Sequence, residues 1–381
     1  MKILHTSDWH LGKIVMAQSM TDDQRMLIET SFLPALDRWQ PDVIVMAGDV
    51  FDRSIAPVEA IRLWEDTLYA VAERGIPMLI ISGNHDGADR LIPAARLMRQ
   101  AGIYLARSLS DFSYPIDITA RDGSRARFFT LPYFNVTQAA DYMERPELKN
   151  PDEAFAALFE TVRPLLADDC PNLLIAHCTV TGAITCDSES RIAVGGAEQV
   201  SSTQFDGFDF TLLGHIHSCQ KAGSNAMYCG APLRYSFDPN ERDKCWLLHD
   251  TADGSVTRIP IVPSREMRTI TGMFDELMDV PDNCTDDYIY AVTTDECLIY
   301  EPSERLRKKY PHLLGLRQNY LHRTLADSEG DDTLREKMKR HTVTDEEIMT
   351  SFLRKICHVE PLPEDIAFFT RVVKEIGEET T

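Results

Sequence analysis

Three polar side chains in a row, Asn84, His85 and Asp86, follow directly on the apolar run 76–81, which predicts a buried strand. An amide, an imidazole and a carboxylate are unfavourable in a hydrophobic core, because each needs a hydrogen-bond partner once it leaves water. Side chains of these types can instead hold a metal ion or contact a phosphate. The stretch therefore predicts a functional site at the carboxyl end of this strand.

Four further predicted strands end in side chains of the same types. Asp8 and His10 lie two positions apart and therefore point the same way in extended chain. In parallel sheets ligands gather at the carboxyl ends of the strands, so we expect all these side chains to lie close together. The strands and the residues that follow them are 2–6 with Asp8 and His10, 43–47 with Asp49, 173–176 with His177, and 210–213 with His215 and His217.

The seven candidate ligands are carboxylate, imidazole and amide groups, with no cysteine among them, which disfavours a structural zinc site. Such a set suits Mn²⁺ or Fe²⁺, and also Zn²⁺. Seven ligands are more than one ion needs, whereas two ions roughly 3.5–4 Å apart, bridged by one carboxylate, would use them all. A site of that kind activates a water and clamps a phosphate. Six other histidines are interpreted as structural: His5, His249, His312, His322, His341 and His358.

The elements that must position these residues repeat three times as strand, polar loop and helix. Helices are predicted over 21–39, 58–74 and 89–100. Apolar strands that alternate with amphipathic helices indicate a parallel sheet covered on both faces. After Tyr104 the pattern changes, and we expect a second half of more antiparallel character. Its predicted elements are strands near 112–118, 126–131, 173–176, 210–213, 227, 246–249 and 256–261, a helix over 151–166, and a polar loop over 182–204.

The chain is predicted to have three parts: a catalytic domain over 1–264, a more polar unit over 265–340, and a helical segment over 341–381. The second part has one clear strand, 288–292, and a predicted helix, 303–310. The last part carries two amphipathic helices that have little core of their own. They either dock on the main body or bind a partner.

Composition limits the class of protein. The chain has 381 residues, its formal net charge is −21, and its nine cysteines are spread out without a C-x-x-C pair. We therefore expect reduced thiols and a cytoplasmic location, and no membrane-spanning segment, because no window approaches 18 apolar residues. The acidic balance argues against a nucleic-acid partner, but net charge does not locate charge, and a metal site supplies its own positive field.

The ordered series of motifs resembles the calcineurin-like metallophosphoesterases. It consists of Asp8-x-His10, Gly48-Asp49-x-x-Asp52, Gly83-Asn84-His85-Asp86, the lone His177, and Gly214-His215-x-His217. The resemblance implies an α/β fold, a four-layer α/β/β/α sandwich, with a smaller α+β capping domain and C-terminal helices. The stretches ILHTSDWHLG, AGDVFDR and GNHD are similar to the SbcD-type nuclease subunits of bacterial double-strand-break repair complexes.

The resemblance also implies roles for individual residues. His85 would face the scissile phosphate, stabilise the transition state and protonate the leaving oxygen, and Asp86 would orient His85 or cap the following turn. The residues implied for the metal ions are Asp8, His10, Asp49 and His217 for one, and Asp49, Asn84, His177 and His215 for the other.

The function implied is that of a two-metal DNA phosphodiesterase, most consistent with Mn²⁺, with Mg²⁺ or Fe²⁺ also compatible. It would act as a 3′→5′ exonuclease on duplex ends and as an endonuclease on single strands and hairpins. Its partners would be DNA, a coiled-coil ATPase of the SbcC type bound by the C-terminal segment, and a second copy of the chain. Two alternatives remain: a metallophosphoesterase acting on nucleotides, small phosphodiesters, phosphoproteins or lipids, which the acidic charge favours, and a non-enzymatic scaffold.

Overall fold

A computed structural model describes residues 1–91, 95–189, 199–241 and 243–319, and short pieces at 349–350, 353–354, 362, 365–366 and 368–369. The chain divides into two compact units, Met1–Glu266 and Met267–Thr381. The further division predicted at 340 and most of the predicted C-terminal helices lie outside the described residues. Among the described residues, no helix is both long and apolar enough to cross a membrane.

The first unit is built from two six-stranded sheets and the helices that cover them. Its strands are β1 (Lys2–Thr6), β2 (Ile14–Val15), β3 (Gln18–Ser19), β4 (Val43–Ala47), β5 (Met78–Ile81), β6 (Ile103–Ala106), β7 (Ile116–Thr119), β8 (Arg125–Leu131), β9 (Asn172–His177), β10 (Thr179–Val180), β11 (Gln199–Val200), β12 (Phe210–Gly214), β13 (Gln220–Lys221), β14 (Ala226–Tyr228), β15 (Cys245–Asp250) and β16 (Ser255–Pro260). Its α-helices are α1 (Thr21–Leu27), α2 (Leu33–Trp39), α3 (Val58–Glu73), α4 (Ala88–Leu91), α5 (Ala95–Met98), α6 (Val136–Met143) and α7 (Pro151–Val162).

The first sheet has the order β16-β15-β1-β4-β5-β6, and its strands β1, β4, β5 and β6 are parallel. The second has the order β13-β14-β12-β9-β8-β7, with a parallel centre formed by β14, β12, β9 and β8. Within these two sheets, antiparallel pairing is confined to the edge pairs β13–β14 and β7–β8 and to β15 and β16, while β2 and β3 form a separate antiparallel pair. The expected antiparallel character is therefore wrong for the centre of the second sheet.

The two sheets pack face to face around a shared apolar core. Because side chains alternate across a strand, Val43, Val45 and Ala47 of β4 face this core, and Phe128 and Ile175 reach it from the second sheet. Strand β4 is buried along its whole length, which explains its uninterrupted apolar sequence. The core fixes the two sheets against each other and sets their strand ends side by side.

Helices cover the outer face of each sheet. Phe32 and Trp64 pack against Trp9, with ring centroids 4.9 and 6.0 Å away, and Phe32 also contacts Trp246 of β15 at 5.4 Å. Side chains of α6 and α7, including Phe155, pack on the opposite face of the second sheet. The four-layer α/β/β/α sandwich is confirmed.

Two predicted elements differ in detail. The segment predicted as one helix over 21–39 contains a π-helical turn, Ile28–Phe32, between α1 and α2. The strand predicted near 112–118 begins with a 3₁₀ helix, Leu109–Ser113, because the Asp111 carboxylate accepts a hydrogen bond from the Ser108 N–H at 3.1 Å. Only β7 remains as strand there.

The second unit contains three parallel strands in the order β17-β18-β19, where one strand was predicted. Its elements are β17 (Met267–Gly272), α8 (Phe274–Met278), β18 (Tyr288–Thr293), α9 (Pro302–Arg307) and β19 (Leu313–Gln318). Strand β18 is mostly buried, whereas β17 and β19 are mostly exposed or half-buried. Strand β17 carries no apolar run, whereas β19 begins with the apolar stretch 313–316, which was not recognised as a strand.

One buried histidine of the first unit gives a test of the fold. His249 of β15 packs against His5 with ring centroids 5.5 Å apart, and its imidazole has no hydrogen-bond partner among the described residues. Burial lowers the pKa of His249 to about 4. His249 therefore binds a proton near pH 6.5 in the unfolded chain but only near pH 4 in the folded chain. The stability present above pH 6.5 is lost as the pH falls towards 4.

Replacing the imidazole by an apolar side chain in His249→Leu should remove this acid penalty. The free energy of unfolding of the variant, relative to the natural chain, should rise by up to about 3 kcal/mol between pH 6.5 and pH 4. Urea midpoints followed by tryptophan fluorescence measure it. A difference that stays constant across this pH range would contradict the assignment.

Candidate metal centre

All seven predicted ligands lie together at the carboxyl ends of the central strands. The structure places three groups of candidate metal-binding atoms there, each group lying within 4.8 Å. The first group is Asp8, His10 and His217, and the second is Asp49, His177 and His215. The third, His10, Asp52 and His85, shares His10 with the first, so only the first two groups consist entirely of predicted ligands. The strands that carry them come from both sheets, so the centre lies where the two sheets meet.

The backbone at this edge adopts conformations that side chains rarely permit. Four predicted ligands have positive φ angles: 55° at Asp8, 45° at His10, 51° at Asp49 and 97° at His215. Such conformations cost about 1–3 kcal/mol each and persist only where the surroundings over-determine them. Here the loops after β1 and β4 are joined by hydrogen bonds from Asp8 N to Gly48 O and from His10 N to Asp49 O, both 3.0 Å long.

Glycines beside the ligands permit the close approach of the strand ends. A Cβ atom at Gly83 would overlap the Asp49 carboxylate, and one at Gly214 would overlap the carbonyl oxygen of Ala47. Gly48 has a φ of 91°, and a Cβ there would overlap the His177 ring. The glycine of each motif is therefore required by the packing of the site.

The ligand atoms within each group are already close. Nε2 of His10 lies 3.0 Å from Nε2 of His217. In the second group, Oδ1 of Asn84 lies 3.0 Å from Nε2 of His177 and 2.9 Å from Nδ1 of His215. About 3 Å is the separation of two neighbouring ligands that each lie near 2.1 Å from a first-row metal ion.

The carboxylate of Asp49 lies between the two groups. Its Oδ2 is 3.7 Å from Nε2 of His10 and 3.4 Å from Nε2 of His177, while its Oδ1 accepts a hydrogen bond from the His85 N–H at 2.9 Å. A carboxylate in this position can contact an ion in either group. The Asp8 carboxylate of the first group contacts the second group through the backbone, because the His215 N–H donates to its Oδ1 at 3.0 Å and lies 3.1 Å from its Oδ2.

Electrostatics makes this cluster unfavourable without a cation. Burial raises the pKa of Asp8 to about 7. Burial alone would lower the pKa of His177, but the adjacent Asp49 carboxylate raises it to about 9, and burial lowers the pKa of His215 to about 3. The buried acids and imidazoles must share protons to limit their charge, and divalent cations can take the place of those protons.

His85 lies at the rim of the centre and is half-buried. Its Nδ1 is 2.8 Å from the backbone carbonyl of Asp52, and its ring lies edge-on to His10 with centroids 4.8 Å apart. A carbonyl oxygen only accepts hydrogen bonds, so Nδ1 carries a proton. That orientation leaves Nε2 as the nitrogen that can exchange a proton with another group.

The described hydrogen bonds of Asp86 go to backbone groups and not to His85. Its carboxylate accepts hydrogen bonds from the backbone N–H groups of Phe51 and Gly83, both at 2.9 Å, and of Val50 at 3.3 Å. It therefore ties the loop that carries Asp49 to the loop that carries Asn84.

Sequence reasoning missed several residues that shape the centre. Gln24 of α1 donates to the His10 carbonyl at 2.8 Å and accepts from the Gly12 N–H at 3.0 Å, which supports the strained turn. Oδ1 of Asp52 lies 3.6 Å from Nδ1 of His10 and 2.7 Å from Nζ of Lys13. Gln24 lies on a helix, and no motif in the sequence marks it. Asp52 belongs to the motif Gly48-Asp49-x-x-Asp52 and could have been assigned.

Carboxylate, imidazole and amide donors in two linked groups suit divalent ions such as Mn²⁺, Fe²⁺ or Zn²⁺. Placed at the strand ends of a four-layer sandwich, they define a metallophosphoesterase. The class uses divalent metal ions to hydrolyse phosphate esters, and the residues present fit that requirement.

Comparisons with known proteins agree. Residues 1–219 match the model described as calcineurin-like phosphoesterase, and residues 263–356 match a C-terminal domain model of SbcD, described as type 5 capsule protein repressor C-terminal domain. The SbcD subunit of the SbcCD nuclease from Staphylococcus epidermidis is 32% identical over 323 residues, which cover 83% of this chain and 85% of the relative. The chain belongs to the calcineurin-like metallophosphoesterases, among the SbcD nuclease subunits.

A crystal structure of a Thermus thermophilus protein shares 12% identity with a TM-score of 0.41, and covers 68% of this chain and 99% of its own. A likeness at this level adds nothing to the family assignment.

The three hydrogen bonds to Asp86 predict an indirect effect on metal binding. In Asp86→Asn one side-chain oxygen becomes an N–H donor that faces backbone donors, so the two loops should separate. We expect a loss of about 1–3 kcal/mol in stability and a clearly weaker affinity for Mn²⁺, measured by thermal unfolding and titration calorimetry.

Asp111→Asn is the matched control, because Asp111 also binds backbone N–H groups but lies on the 3₁₀ helix 109–113. It should lose stability without losing metal affinity. Equal affinity in both variants would contradict the role of Asp86.

Proposed function

We propose that this chain is the nuclease subunit of an ATP-dependent DNA repair complex and hydrolyses DNA phosphodiesters. It acts as an Mn²⁺-dependent 3′→5′ exonuclease on duplex DNA and as an endonuclease on single strands and hairpins. The observation that supports the proposal most is the pair of linked donor groups joined by Asp49. The name of the Staphylococcus epidermidis relative supports the nuclease over a phosphoesterase of small molecules.

The proposed ligands divide as the two groups do. Asp8, His10 and His217 would hold one ion, His177, His215 and Asn84 would hold the other, and Asp49 would contribute to both. Two divalent ions, when bound, activate water and offset the charge that develops on the phosphate. The chain itself contributes their spacing, because the strained turns and the adjoining glycines fix the donors before substrate arrives.

His85 supplies the proton step. The Asp52 carbonyl holds its Nδ1 proton, so the ring is fixed with Nε2 as the exchanging nitrogen. A proton held at Nε2 can pass to the leaving 3′ oxygen, which stays on the shortened strand when its bond to phosphorus breaks, since an alkoxide is a poor leaving group. His85 is thus the catalytic residue, and the seven donors are ligands.

His85→Gln tests this role through the leaving group. The variant should lose about 10²–10⁴ in the rate of DNA cleavage. On bis-p-nitrophenyl phosphate the loss should be much smaller, because nitrophenolate leaves without a proton. Metal content by elemental analysis should match the natural chain. Equal losses on both substrates would contradict proton donation by His85.

Asp49→Asn should instead lower both activities together with metal content, because the bridging charge is removed. If the natural chain with its ATPase partner hydrolyses the small diester but never DNA, the nuclease assignment is wrong and the small-phosphodiester alternative holds.

The partner assignment is a separate proposal. The Staphylococcus epidermidis relative is named as one subunit of SbcCD. We propose that residues 341–381 of this chain bind a coiled-coil ATPase of the SbcC type, while a second copy of the chain completes a homodimer. Because the net charge of −21 disfavours contacts with phosphates, DNA binding is shared with that partner.

Truncation after Arg340 tests it. The shortened chain should keep its metal affinity and its cleavage of the small diester, because the described donors all lie in the first unit. Co-purification with the ATPase should be lost. Retained co-purification would refute the assignment of this segment.

A further inference from the structure

His217 connects the proposed metal centre to a buried polar cluster that the reaction does not use. Its Nε2 faces His10, and its Nδ1 lies 2.7 Å from the Ser188 hydroxyl and 3.4 Å from the Glu241 carboxylate. We propose that Ser188 and Glu241 are positioning residues that fix the proton of His217 on Nδ1, so that Nε2 presents its lone pair to a divalent cation. The inference rests on the proposed function.

The single hydrogen atom of the Ser188 hydroxyl decides which nitrogen of His217 is protonated. A hydroxyl group has one hydrogen atom, and an ionised carboxylate can only accept. The Ser188 oxygen lies 2.5 Å from Oε1 of Glu241, so the hydroxyl hydrogen points to Glu241. Its oxygen must then accept from His217, which requires the proton of the neutral imidazole to be on Nδ1.

The surroundings of Glu241 keep it an acceptor. Its side chain has no exposed surface. The Ser236 hydroxyl donates to Oε2 at 2.5 Å, the Tyr235 N–H donates to the same oxygen at 3.3 Å, and Nζ of Lys244 lies 3.8 Å from Oε1. Each of these neighbours is a donor, so a donor atom in place of either carboxylate oxygen would face another donor.

The backbone of His217 is held from the same side. Its N–H donates to Oε1 of Glu189 at 2.8 Å, and its carbonyl accepts from Nζ of Lys244 at 2.9 Å. Ring and backbone are therefore fixed together. The segment that carries Ser188 and Glu189 thus supports a ligand that belongs to a different strand end.

His217 differs in this respect from His177. Nδ1 of His177 lies 2.8 Å from the Ala47 carbonyl, so a backbone group fixes its tautomer and no substitution can remove it. For His217 the side chains of Ser188 and Glu241 fix the tautomer instead. Partners of this kind orient metal-binding histidines, and their loss typically weakens metal affinity about 10–100-fold.

Ser188→Ala and Ser236→Ala form a matched pair. Each removes a 2.5 Å hydrogen bond to Glu241, but only Ser188 contacts His217. Mn²⁺ is titrated calorimetrically into the full chain after chelation. We expect Ser188→Ala to weaken one Mn²⁺ site by about 10-fold or more and Ser236→Ala by less than about threefold, with similar losses of thermal stability. Ser188→Thr, which keeps the hydroxyl, should restore the affinity.

Equal affinities in all variants would overturn the inference. Equal weakening in both alanine variants would also overturn it, because the effect would then come from the packing of Glu241. Nitrogen NMR of chain with isotopically labelled histidine, assigned with His217→Gln, should show the Nδ1–H tautomer, and the Nε2–H tautomer would refute it directly. Failure of the natural chain to bind Mn²⁺ would instead overturn the metal centre itself.

Discussion

The centre depends on how closely the strand ends of two separate sheets approach each other. The approach is possible because Gly214 has no side chain to collide with the Ala47 carbonyl, and because Gly48 leaves room for the ring of His177. The left-handed turns at Asp8 and Asp49 then direct their carboxylates into the same small volume. Strain that the packed core sustains thus becomes precise placement of metal-binding atoms.

Burial gives this placement its chemical strength. Carboxylates and imidazoles taken out of water lose solvation, and they recover favourable energy only when opposite charge is brought to them. The raised pKa of Asp8 is a consequence of that loss, whereas the pKa of His177 is raised because the adjacent Asp49 carboxylate outweighs the effect of burial. Divalent cations would supply positive charge to the carboxylates and take the place of the protons on the imidazoles, so affinity for metal follows from the same burial that makes the cluster unfavourable without them.

Support for the ligands is graded from backbone to side chain. The backbone carbonyls of Ala47 and Asp52 hold His177 and His85, and the paired loops hold Asp8 and His10. The ring of His217 is held instead by a hydroxyl and a buried carboxylate. Backbone support cannot be removed by substitution, whereas the support of His217 can. The two side chains that provide it, Ser188 and Glu241, lie on segments far apart in the chain.

The sequence by itself determined the buried parallel strands and the chemical types of the donors, and the resemblance of its motifs implied the four-layer sandwich. Buried parallel strands must be apolar throughout, so β4 and β9 were visible as runs, and polar residues at their ends could only be a site. Polar edge strands such as β17 carry no such run and were missed, and the parallel centre of the second sheet was misjudged because strand direction depends on connections across the fold.

Only the tertiary structure decided which donors meet and what holds them. The position of Asp49 between two groups, the tie between loops made by Asp86, and the contact of Glu241 with His217 join segments that are far apart in the chain. No local pattern encodes such contacts, because they arise when the two sheets pack. The sequence supplies the groups, and the packing of the sheets sets the distances at which they act.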